Sequence, residues 1–114
     1  MPIPDRYRPI VSSLLGATEA NKVRWQAGPD RWTFLLSLPE GSFRIRDTGG
    51  DPGEHFTFAM VNEDGWETDS FPVGLGDPDF EAVAGLWRAA RRNAFDVDQT
   101  LDQIERRLKL LGEQ

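Results

Sequence analysis

Apolar residues recur at every second position through the middle of this chain and at every third or fourth position toward its ends, and few folds satisfy both periods. A period of two sends alternate side chains to opposite faces of a strand, whereas a step of about 3.6 gathers one stripe on a helix. From Trp32 to Leu38 the alternation is clean: Trp32, Phe34, Leu36 and Leu38 share one face, and Thr33, Leu35 and Ser37 the other. A turn at 39–42 follows, after which Phe43 and Ile45 point inward while Arg44 and Arg46 meet water. The longest loop spans 48–53, and the next alternating run holds Phe56, Phe58 and Met60. Glu63-Asp64-Gly65 is a hairpin signal leading into a strand from Trp66 to Val73. A short strand at Val23-Arg24-Trp25, closed by the turn cluster at 27–30, precedes them. The pattern predicts an antiparallel meander of four or five strands, apolar on one face.

Helical periods flank this meander. Pro9 suits the first turn of a helix whose face carries Ile10, Val11, Leu14, Leu15 and Thr18, with Asn21 as a left-handed stop. Asp77-Pro78-Asp79 reads as a helix start, Asp77 capping, Pro78 first in the helix and Asp79 complementing the dipole. Phe80, Val83, Trp87, Ala90 and Ala94 form the apolar face that follows. Asp96 with Gln99 resembles a capping box for a last helix. There Val97, Leu101, Ile104, Leu108 and Leu111 step by 4, 3, 4 and 3 residues, a heptad seam of about two heptads. Such a seam either packs on the sheet or the preceding helix, or projects outward and pairs across a two-fold axis. The expected fold class is α+β: an N-terminal helix, a four- or five-stranded antiparallel meander, and two C-terminal helices packed on one face of the sheet.

Length and composition narrow the functional classes. The 114 residues suit one domain, 1–114, and 39% hydrophobic content supports a packed core despite a net charge of −6. The absence of cysteine removes disulfides, thiolate nucleophiles and Cys-ligated zinc. No basic-then-apolar leader and no apolar run near 18–20 residues stands in the sequence, so no membrane association and a cytoplasmic location are expected. Charge is uneven, with two bases against eleven acids in 40–81. An acidic surface repels phosphate backbones, so nucleic acid is not an expected partner.

Each candidate for chemistry has a plainer reading. His55, the single histidine, sits beside Glu54, but no nucleophile pattern accompanies it and a strand-edge position explains it. The loop acids Asp47, Asp51 and Glu54 miss the EF-hand spacing and read as a solvated loop. Gly74-Leu75-Gly76 lies where a phosphate loop would, yet it lacks a third glycine and a lysine, and Asp77 and Asp79 would repel a phosphate. Arg88, Arg91 and Arg92 make a basic stripe at helical spacing, either a docking surface for an acidic partner or a solvated face. Of the four tryptophans, Trp25 on a short strand and Trp66 after a hairpin turn are candidates for an exposed anchor.

Two stretches carry a resemblance. Residues 14–19 followed by Val23-Arg24-Trp25, and residues 86–94 followed by Val97-Asp98, Leu101 and Ile104, resemble a pattern in small uncharacterised bacterial α+β proteins. The resemblance implies a helix first, a sheet in the middle and a helical pair last, and brings no functional residues with it. The expectation for function is a non-enzymatic protein-interaction or accessory module of a bacterial assembly. It has no catalytic residue, cofactor or metal, and its partner is another protein, a homodimer being one possibility. Its interface candidates are Arg88, Arg91, Arg92, Trp25, Trp66, Leu101, Ile104, Leu108 and Leu111. The alternative is a small-molecule sensor or carrier with a pocket between sheet and helices, near Trp66 and Trp87.

Overall fold

The computed structural model describes residues 3–30, 32–49 and 53–112. Helix α1 (Arg8–Glu19) is followed by strands β1 (Gln26–Ala27), β2 (Thr33–Leu38), β3 (Gly41–Asp47), β4 (His55–Val61) and β5 (Glu67–Gly74). Two helices close the chain, α2 (Phe80–Ala94) and α3 (Val97–Gly112). The sheet is antiparallel in the order β1-β2-β3-β4-β5, so every connection is a local one and the fold class is the α+β meander expected.

The period-two pattern sets the register. Phe34 lies opposite Ile45, Ile45 opposite Phe58, and Phe58 opposite Phe71, which lines up one apolar row across four strands. Phe34, Ile45 and Phe58 are fully buried, and each such side chain contributes roughly 1.5–3 kcal/mol relative to exposure. Helix α2 crosses this face: Phe80 and Trp87 meet Phe56, Trp87 meets Phe34, and Phe95 beyond the helix also meets Phe34. Trp87 further donates its indole N–H to the Trp32 carbonyl at 3.0 Å. Helix α1 packs against α2 and buries Val11, Leu14 and Thr18, and Tyr7 just before it reaches the sheet at Phe58 and Phe71. The Tyr7 hydroxyl donates to Asp69; burial and that carboxylate push its pKa up to about 12. Asn21 adopts the left-handed conformation (φ 57°) expected of a helix stop.

Three local expectations are corrected. Residues 23–25 are not a strand; β1 is Gln26–Ala27, paired with Leu35 and Phe34. The reason is side-chain capture: Asn93 on α2 accepts the Trp25 N–H at 2.7 Å and donates to the Val23 carbonyl at 2.9 Å, replacing ladder bonds. Asp77 does not cap α2 with its side chain. Its carboxylate turns back to accept the Gly74 N–H at 2.8 Å, and the N-cap residue is Asp79. Asp79 also spends its carboxylate elsewhere, accepting the Ile3 N–H at 2.8 Å and the Arg8 Nε–H at 3.1 Å, which ties the N-terminal segment to the start of α2. Asp96 makes no capping box, because its carboxylate is held by Arg24 across the fold.

The C-terminal half of the free edge of β5 is closed to strand addition by local chemistry. Pro72, opposite Thr57, turns toward that edge a nitrogen with no hydrogen. The next outward N–H, that of Gly74, is already bonded to Asp77. Such features suppress edge pairing.

Candidate interaction surface

Helix α3 stands apart from this packing. It is 16 residues long, it touches α2, and none of its residues is buried. The 56 × 33 × 26 Å envelope reflects a layered body with α3 projecting from it. The direction of α3 is set at its root by polar contacts. Asp96 takes a left-handed conformation (φ 51°) that breaks α2 from α3, and both its carboxylate oxygens accept from the Arg24 guanidinium. That hydrogen bonding holds the Asp96 carboxyl below its ordinary range and raises the Arg24 pKa. Arg92 on α2 forms a second bridge to Asp98 on α3 at 2.7 Å. Exposed pairs of this kind contribute little, so they orient α3 without covering its apolar side.

The heptad seam therefore faces solvent. Leu101, Ile104, Leu108 and Leu111 retain 48%, 46%, 60% and 59% of their surface, and Leu110, off the seam, 64%. Two more rings are partly open, Trp32 stacked on Trp87 of α2 at 6.3 Å and Phe95, just before α3, edge-on to Phe34 at 5.6 Å. Between α1, α2 and the first turns of α3 runs a cleft of about 830 Å³, walled by Leu15 and Thr18, by Gly85, Arg88 and Arg92, and by Asp102.

The other predicted positions separate into different surroundings. The arginine stripe divides: Arg92 pairs with Asp98, Arg91 lies over the Phe95 ring at 5.6 Å, and Arg88 lines the cleft. Trp66 is 72% exposed beside the β4–β5 turn, where Asn62 accepts the backbone N–H groups of Asp64 and Trp66. Trp25 is corrected as an interface candidate: it is 1% exposed, and its indole N–H donates to the buried Thr18 hydroxyl at 2.9 Å. Trp66 and Trp87 lie toward opposite ends of the sheet, and the space beneath Trp87 is filled by Phe34 and Phe56.

His55 packs its ring against Gly74, where an added Cβ would come within 2.8 Å of the imidazole. The buried Asp47 organises the β3–β4 loop by accepting the Gly53 N–H at 2.8 Å; Asp51 lies outside the described residues. Among the described residues no three His, Cys, Asp or Glu side chains are grouped to hold a metal ion, and no helix is long and apolar enough to cross a membrane.

Sequence reasoning missed Asn93 and Asn62. Asn93 left a signal: it sits three residues after Ala90, on the apolar stripe of α2, where a polar side chain needs a buried partner. Asn62 left a weaker one, an Asn three residues before the hairpin glycine, which suits a side-chain-closed turn. Comparison with family models, with curated proteins and with solved structures finds no match for this chain.

Proposed function

We propose that this chain is a non-enzymatic protein-interaction module whose docking element is α3. The observation that carries the reading is the exposure of Leu101, Ile104, Leu108 and Leu111 on one side of a helix that buries no residue of its own. An amphipathic helix is stabilised in water mainly by covering its apolar face, and contiguous exposed apolar surface marks interaction sites. The layered body acts as a platform: α2 is locked to the sheet, and the Arg24–Asp96 and Arg92–Asp98 pairs present α3 in a fixed direction. In this reading the module is an accessory part of a larger assembly, binding by a helix-and-groove or helix-and-helix mode.

The test compares the native chain with Leu101→Asp/Leu108→Asp. Both chains should keep the same far-UV circular dichroism and thermal midpoint as monomers, because neither side chain is buried. Binding to any stoichiometric protein partner, including a second copy, should be lost in the double variant. Partner binding that survives the substitution would move the docking surface away from α3 and overturn the reading.

A further inference from the structure

Resting on the reading of α3 as the docking element, we infer that its partner is a second copy of this chain, bound through an antiparallel α3–α3 pair. The argument is the distribution of charge along the helix. Its first nine residues carry Asp98, Asp102 and Glu105, and its last seven Arg106, Arg107 and Lys109, an acidic end and a basic end of equal and opposite formal charge. A parallel pair would set acid beside acid and base beside base, and would align the two helix dipoles. An antiparallel pair sets each acidic half against the partner's basic half and opposes the dipoles.

The seam permits this register. With the two-fold axis near Arg106, Leu101 meets the partner's Leu111 and Ile104 meets the partner's Leu108, so the exposed apolar residues are matched in layers. The interaction is isologous, so it closes on itself as a dimer and does not propagate. A helix of 16 residues is about 24 Å long, so the interface is short and the dimer weak and concentration-dependent.

The native chain lacks cysteine, so one introduced thiol reports one position. Leu101→Cys and Leu111→Cys chains are prepared separately, mixed and oxidised, with sedimentation of the native chain run alongside. The expected result is a disulfide joining the two different variants, with little linkage within either alone. In the antiparallel pair the two Leu101 positions lie about 15 Å apart, beyond the roughly 7 Å between Cα atoms that a disulfide spans. Ile104→Asp should raise the dimer dissociation constant about a hundredfold or more, since it buries a carboxylate at each layer it touches.

Linkage of each variant to itself would mean a parallel pair and overturn the inference. A native chain that stays monomeric up to about 1 mM would overturn it too. If such a monomer instead binds a different protein in an α3-dependent way, the docking role of α3 stands and the second copy does not.

Discussion

Helices α2 and α3 are 15 and 16 residues long and similarly amphipathic, yet α2 buries Val83, Ala84, Leu86, Trp87, Ala90 and Asn93 whereas α3 buries nothing. The difference lies in where the chain delivers them. Helix α2 leaves β5 beside the apolar face of the sheet and crosses that face, so each turn finds Phe56, Phe34 or Trp25 beneath it. By the time the chain passes Asp96 that face is already covered by α1, α2 and Tyr7. An apolar stripe therefore states that a helix needs cover; its place in the chain decides whether the cover comes from the same molecule. The stripe that found its cover at home builds the fold, and the one that did not is the docking element we propose.

The largest effect that tests this contrast is a paired truncation. Phe34→Ala should lower the stability of the monomer by about 3–5 kcal/mol, while Leu108→Ala should change it by no more than about 0.5 kcal/mol, measured by urea unfolding at a concentration where the chain is monomeric. A cost above about 2 kcal/mol for Leu108→Ala would reveal intramolecular cover for α3 and erase the difference between the helices.

A smaller loss, about 1–3 kcal/mol, is expected for Asn93→Ala, which strands the Trp25 N–H and the Val23 carbonyl without their partner. Indifference to this change would mean that residues 23–25 pair into the sheet once released.

The most local effect separates the body from α3 by pH. The Tyr7 hydroxyl titrates at about 12 in the folded chain against an ordinary value near 10, so the neutral form is favoured by folding. That contribution is complete below about pH 10 and is lost as pH rises toward 12. Unfolding curves of Tyr7→Phe should lack the part of the alkaline decline that the native chain shows over this window. Identical pH profiles for the two chains would remove Tyr7 from the stabilising contacts of the body.

Much of this arrangement was legible in the residues themselves. Alternation from Trp32 to Leu38 and from Phe56 to Met60 fixes strand faces, because a one-residue slip would turn Phe34 or Phe58 to water. Hairpin glycines and short turns then impose sequential antiparallel pairing. The seam of α3 was legible as a seam. The capping residues misled, because Asp77, Asp79 and Asp96 suit helix starts by local chemistry, while the neighbouring Gly74 N–H takes the Asp77 carboxylate and Arg8, Ile3 and Arg24 compete for the other two from elsewhere in the fold.

Periodicity alone thus determined the α+β class, the strand faces and the presence of two amphipathic helices after the sheet, since those follow from backbone geometry within a few residues. Only the tertiary structure decided that Trp25 is interior and that residues 23–25 are held by Asn93. It also decided that α3 leaves the body at Asp96 with its leucines uncovered. Each of those outcomes turns on contacts across about 70 residues of chain, such as Asn93 to Trp25 with a separation of 68 and Arg24 to Asp96 with one of 72. No local pattern encodes which distant group arrives first.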